Sequence, residues 1–329
     1  MYDWITISSK YTEYGMTQED VLENVFAKTE KKNLISGMVW TNGEIINEDF
    51  KKSLWISASK PRQDKSGNNV GYLRISVCPP KFIKGNNIEE TSIRDTLDLF
   101  TMLSNMVGYD LGETAKVDKI DITHTAMTEY APVAYYPFLC NQTGKENQRW
   151  ILDSTLYYGT NQTKQKKFYD KVKDAHKTGG VQHIPIEYSD QNMTRFEVGL
   201  GTHKRVSDVL GEFALLGHLF TEEYIMKLHS YWRSEYSSIP KKTEIATNFK
   251  QGMKQKDVQE EITRAALTNY GRLRIEDDIE RAAKMGALSY SAKSRAKNKL
   301  LLPFESNGVN HSLIEELDEK IMRFEPIWE

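Results

Sequence analysis

The chain has 329 residues, enough to bury a large core in one big domain or two modest ones. Hydrophobic residues make up 39% and charged ones 27%, which excludes a disordered or fibrous chain, and the formal net charge of −2 leaves any affinity for nucleic acid to local basic patches. Two cysteines, Cys78 and Cys140, are too few and too isolated for a disulfide framework or a zinc site. No run approaches the ~20 apolar residues of a membrane span. The start, Met1-Tyr2-Asp3-Trp4, has neither the basic nor the apolar region of a signal peptide, so a cytoplasmic protein without membrane contact is expected.

The first ninety residues predict short strands over 4–8, 37–46, 54–58 and 72–77, separated by polar turns at Asn42-Gly43 and over 65–69. Residues 92–107 predict an amphipathic helix with Ser92 as its N-cap and Ile93, Leu97, Phe100, Leu103 and Val107 on one stripe. Helix after strands, then a further strand around Asp121, predicts an α+β fold: an antiparallel sheet with helices on one face, followed by a mostly helical C-terminal region. A short helix is expected over 133–139. From Ser207 onward helices are expected over 207–220, 222–236, 257–270, 275–284, 289–301 and 312–323. Pro240 marks the expected boundary between a catalytic domain over 1–238 and a helical, basic, DNA-binding region over 239–329. Residues 241–303 hold 14 Lys plus Arg against 8 Asp plus Glu, so this part is basic in a slightly acidic chain.

Three segments carry the chemistry. Lys119-Ile-Asp-Ile-Thr123 alternates Ile120 and Ile122 against Asp121 and Thr123. In 168–174 Phe168 and Val172 face one way and Tyr169 and Lys171 the other. In 194–200 Phe196, Val198 and Leu200 oppose Arg195 and Glu197. Three strands of this kind share one apolar face and one polar face.

A tyrosine nucleophile, carboxylates for a metal ion and cations for phosphate are what nicking a DNA strand requires. Tyr169 is the candidate nucleophile. Its ordinary pKa near 10 calls for help, which Lys171 on the same face can give. Asp121 and Glu197 suit Mg²⁺ or Mn²⁺, with Asp174 a third carboxylate if the strand bulges or ends before it. Arg195, Lys166 and Lys167, with the neighbouring Lys164 and Lys173, suit a phosphate track. The same residues also fit a packed tyrosine, a Glu197 paired with Arg195 or a lysine on a wet sheet face, and a solvated lysine loop. His124, three residues after Asp121 and without a His-hydrophobic-His partner, reads as structural.

Leu156-Tyr-Tyr-Gly-Thr160, Tyr169-Asp-Lys-Val-Lys-Asp174 and Arg195-Phe-Glu-Val198 together resemble the signature of phage and plasmid rolling-circle replication initiators, the filamentous-phage initiators above all. Pro79-Pro-Lys-Phe-Ile-Lys-Gly-Asn-Asn87, the helix after it and the Asp121 segment follow that family in order and spacing. The resemblance covers residues 1–210. It implies a site-specific nick in origin DNA and rejoining of the displaced strand, with Tyr169 as the joining tyrosine, Lys171 beside it, and Asp121 and Glu197 serving the divalent ion. It implies single- or double-stranded origin DNA as partner, with the host replicative helicase and polymerase. Asp174 stands where family members often carry Glu, and no second tyrosine follows Tyr169 at helical spacing. Transposases and mobilisation nucleases share this chemistry, and a non-catalytic origin-binding protein shares the fold.

Residues 279–297 read as helix, turn at Gly286, helix. Lys293, Arg295 and Lys297 on the second helix are candidates for contacts to DNA in a helix-turn-helix, a pattern that ordinary helical hairpins share.

Overall fold

Alternating apolar residues draw the N-terminal strand β1 (Tyr2–Ser9) into the middle of a ten-stranded antiparallel sheet, with Ile5 and Ile7 fully buried. The computed structural model describes residues 1–32, 38–50, 52–144, 147–160, 163–177, 184–241, 254–256, 263, 279, 282–283, 285–287, 289–301 and 313–329. Beyond β1 the strands are β2 (Phe26–Lys32), β3 (Val39–Asn47), β4 (Lys52–Ser59), the short β5 (Arg62–Gln63) and β6 (Asn69–Val70), and β7 (Leu73–Val77). There follow β8 (Lys116–Met127), β9 (Arg149–Leu152), β10 (Thr155–Thr160), β11 (Lys164–Asp170) and β12 (Met193–Leu200). The order across the large sheet is β2-β3-β4-β7-β1-β8-β12-β11-β10-β9, and β5 and β6 form a separate two-stranded ribbon. The described helices of the first two-thirds are α1 (Gln18–Val21), α2 (Pro79–Lys84), α3 (Ile93–Val107), α4 (Leu111–Thr114), α5 (Lys171–Lys177), α6 (His203–Leu210) and α7 (Glu222–Ser237). The protein is therefore α+β.

The chain divides into two units: Met1–Pro132, Asn141–Ile239 and Lys320–Glu329 form one, Val133–Cys140 and Pro240–Glu319 the other. The first holds the sheet. On one sheet face Ile120, Ile122, Phe168, Phe196, Val198 and Leu200 are all fully buried. The amphipathic α7 covers this face with Ile225, Leu228, Trp232 and Tyr236, spaced three to four apart as helical packing demands. Trp232 lies 5.1 Å from Phe196, and Tyr236 lies 6.1 Å from Phe168, between ring centres. Phe324 closes the layer from near the end of the sequence, 4.9 Å from Trp232 and stacked at 4.7 Å on His124. His124 sits on this apolar face and meets Glu90 at 2.8 Å, a structural role. The Ile327 carbonyl accepts from the backbone N–H of Ile93 at 2.8 Å. Helix α3 is capped as expected, Ser92 Oγ accepting from Asp95 N at 2.9 Å.

The second unit is tied by a bridge between Leu139 and Lys241 and by an ion pair of 2.8 Å between Lys241 and Asp318. Its described helical parts include Tyr290–Leu301 and most of Leu313–Met322. The helix expected over 133–139 is instead a pair of 3₁₀ turns, Pro132–Ala134 and Tyr136–Phe138. The helix expected over 257–270 lies largely outside the described residues.

Asn42-Gly43 does not turn. It runs through β3, where Asn42 pairs with Thr29 on one side and Ser57 on the other. Two flanking strands supply the backbone with partners, and that pairing outweighs the dipeptide's turn preference. The 65–69 turn is present, with Gly67 at φ +82° between the paired Gln63 and Asn69. No described helix is long and apolar enough to cross a membrane.

Candidate active site on the polar face of the sheet

Strands β8, β12 and β11 lie side by side, and their registers set side chains in three rows on the face away from α7. One row is Thr125, Arg195, Tyr169; the next is Thr123, Glu197, Lys167; the third is Asp121, Gly199, Gln165. Rows are about 7 Å apart along the strands and columns about 4.8 Å apart across them.

The middle row carries the contacts to the Tyr169 hydroxyl. Tyr169 OH donates to Glu197 Oε2 at 3.2 Å, and Lys167 Nζ donates to Glu197 Oε1. One row along, Lys119 Nζ lies 3.1 Å from Asp121 Oδ2. Gly199 lets the Asp121 carboxylate lean across it: a Cβ there would stand 2.7 Å from Asp121 Oδ1. Burial, and then the charge of Glu197, push the Asp121 carboxyl up to about 7. Burial and Glu197 likewise hold the Tyr169 phenol well above its ordinary value. Burial works against the Lys167 charge, but Glu197 and Asp121 outweigh it and raise the ammonium.

In the first row it is Arg195 that is sealed in. Arg195 is 1% exposed; it donates to Thr125 Oγ1 at 2.7 Å, to Asp3 Oδ1 at 3.1 Å and to the Asn87 carbonyl. Burial opposes the Asp3 charge, yet Arg195 and Lys171 prevail and bring its carboxyl down to about 2. Lys171 begins α5, with its ammonium 5.6 Å from the centre of the Tyr169 ring and 2.7 Å from Asp174 Oδ2. Burial and Arg195 lower it.

Glu197 thus meets both Tyr169 and Lys167, taking the lysine pairing that was its alternative, while Asp121 shares their face two rows away from Tyr169. Several expectations need correction. The strand through Tyr169 stops at Asp170, whose carboxylate caps α5 by accepting from Lys173 N at 3.0 Å. Asp174 therefore sits on a helix beside Lys171, and no cluster of three His, Cys, Asp or Glu able to hold a metal ion occurs among the described residues. Lys171 lies over the Tyr169 ring, its ammonium paired with Asp174. Arg195, expected to face DNA, is instead buried against Thr125, Asp3 and Asn87. Lys166 is 1% exposed on the opposite face, where it and Lys164 grip Glu235 of α7 at 2.9 and 3.0 Å.

Gly286 turns with φ +75°. On the helix Tyr290–Leu301 Lys293 is half-buried and Arg295 exposed, while the Lys297 side chain lies outside the described residues. Sequence reasoning passed over Lys119, Gly199, Gln165 and Asp3. The signal for Lys119 was its place two residues before Asp121 on an alternating strand; the other three show only in the register.

Asp121 and Glu197 offer hard oxygen donors one row apart on adjacent strands, the kind that a Mg²⁺ or Mn²⁺ ion takes together with water and substrate oxygens. No protein-family model and no curated protein matches the chain. Among solved structures, the di-domain ARO/CYC BexL from the BE-7585A biosynthetic pathway is similar over 72% of this chain and 95% of its own, at 8% identity and a TM-score of 0.22, too low to bear on fold or function.

Proposed function

We propose that this chain is a replication initiator that nicks origin DNA through Tyr169 and rejoins the strand in rolling-circle replication of a phage or plasmid. The observation that supports it is the Tyr169 hydroxyl, 3.2 Å from a carboxylate oxygen of Glu197 on a face that also holds Asp121, Lys119 and Lys167. The Tyr169 oxygen bonds to phosphorus as the bond from phosphorus to the leaving sugar oxygen breaks. Glu197 accepts the phenol proton, which a tyrosine with a raised pKa must lose to a base in contact with it. The leaving oxygen takes a proton from solvent and becomes a free hydroxyl, while the phenol proton stays on Glu197 until it is released to water. The phosphotyrosine keeps the bond energy, so attack by that hydroxyl reverses the step and reseals the strand. Lys119 and Lys167 balance the charge of the phosphate. Asp121 and Glu197 would hold a divalent ion, which when bound would add neutralisation of phosphate charge. Under this reading the partners are single- or double-stranded origin DNA and the host replicative helicase and polymerase, in the host cytoplasm.

Covalent trapping tests it. Purified protein, Mn²⁺ or Mg²⁺ and labelled single-stranded DNA carrying the origin are run on a denaturing gel. A DNA-linked protein band is expected, and it should vanish in Tyr169→Phe and with chelator. The burial of Tyr169, 8% exposed, favours a second reading: an origin-binding protein that keeps the fold without the chemistry. Binding without any band, unchanged in Tyr169→Phe, would decide for it. A band obtained with transposon or mobilisation ends, but not with a replication origin, would keep the chemistry and move the biological role.

A further inference from the structure

Gln165 carries a polar atom that the nicking chemistry does not use. It is 4% exposed, and its Oε1 has no hydrogen-bond partner among the described residues. A buried amide oxygen is ordinarily satisfied, so its isolation points to a donor or a cation beyond the protein's own atoms. Strand alternation sets Gln165 on the face of Lys167 and Tyr169, directly across Gly199 from Asp121. Gly199 adds no side chain between them, and Asp121 leans into that gap. Glu197 is the next residue on the same face of β12. Three oxygen-bearing side chains on three adjacent strands therefore share one face around this glycine.

We propose that Gln165 completes a divalent-cation site over Gly199, its amide oxygen joining the carboxylates of Asp121 and Glu197. The inference rests on the metal-assisted reading above and adds a ligand to it. All three donors are hard oxygens, as Mg²⁺, Mn²⁺ and Ca²⁺ prefer and as softer metals do not. Lys119 and Lys167 already neutralise the two carboxylates, so an occupant must outcompete two ammonium groups, which favours a doubly charged ion over Na⁺ or K⁺. The glycine is part of the device, because any Cβ at 199 would push Asp121 aside.

Mn²⁺ binding by the full chain without DNA, followed by the loss of the free-ion paramagnetic resonance signal, tests this. The wild type should bind. Gln165→Leu should weaken binding by about tenfold or more, Gln165→Asn, which withdraws the oxygen by one methylene, should weaken it as well, and Gln165→Glu, which adds ligand charge, should tighten it. Should Gln165→Leu fail to fold, the Glu and Asn variants carry the decision. Wild-type affinity in Gln165→Leu or Gln165→Asn, weaker binding in Gln165→Glu, or no Mn²⁺ binding by the wild type would overturn the site. A chain that traps DNA through Tyr169 but whose Mn²⁺ affinity ignores position 165 loses this inference alone. A chain whose Mn²⁺ affinity follows position 165 but which never traps DNA keeps the site and loses the nicking.

Discussion

Arg195 shows how a residue's type can be read correctly and its job misread. Its face follows from the alternation of β12, but its partners, Asp3 and Asn87, lie far away in sequence and no local pattern announces them. Asp3→Ala would leave a guanidinium buried beside one counter-charge fewer, and urea unfolding should register a loss of about 3–5 kcal/mol. Asp3 and Glu90 both hold folded pKa values of about 2, below their unfolded values. Their contribution is therefore full above about pH 4.5 and is lost as the pH falls toward 2. Stability measured across that window should drop steeply in the wild type and less steeply in Asp3→Asn. Gly199 and Gln165 were illegible for a related reason. Neither has chemistry alone, and only the register that sets them beside Asp121 gives them any.

Among the elements, β8, β12 and α3 were legible because each carries a complete signal: two-residue alternation in the strands, and a capped three-to-four-residue stripe in the helix. The end of β11 was not. Asp170 can continue a strand or cap a helix, and the helix formers after it decide for the cap. Lys166 and Lys167 read alike in sequence, yet adjacent positions on a strand serve opposite faces. Lys166→Met should cost about 1–3 kcal/mol by stripping Glu235 of one of its two lysines, with Tyr169 trapping unchanged. Lys167→Met leaves the buried Glu197 without its ammonium, so it should cost at least as much stability and, unlike Lys166→Met, lower the trapping rate by about a hundredfold. Denaturation and trapping on the same two variants check both. Equal losses of activity would mean that the strand's two faces do not divide the labour this way.

At the scale of the whole molecule, the sheet unit is discontinuous, taking residues Lys320–Glu329 from beyond the stretch that forms most of the other unit. Truncation after Ile239 would strip Phe324 from Trp232 and His124, and it should lower the melting temperature by the equivalent of about 3–5 kcal/mol or more. Excising residues 242–311 behind a flexible linker keeps Phe324 and should spare that stability. If the basic stretch binds DNA, the same excision should also weaken origin binding and flatten its salt dependence; an unchanged salt slope would remove the stretch from the DNA contact. The sequence showed the charge of this region. It did not show that residues beyond it return to the sheet, because Phe324 is one aromatic in a short helix-ending segment with nothing local to name its partner.

That return has a consequence for synthesis. A ribosome adding about 5–20 residues per second delivers Trp232 on the order of ten seconds before Phe324. Through that interval the nascent chain presents an aromatic surface that Phe324 has yet to cover, a window in which a holding chaperone could engage it.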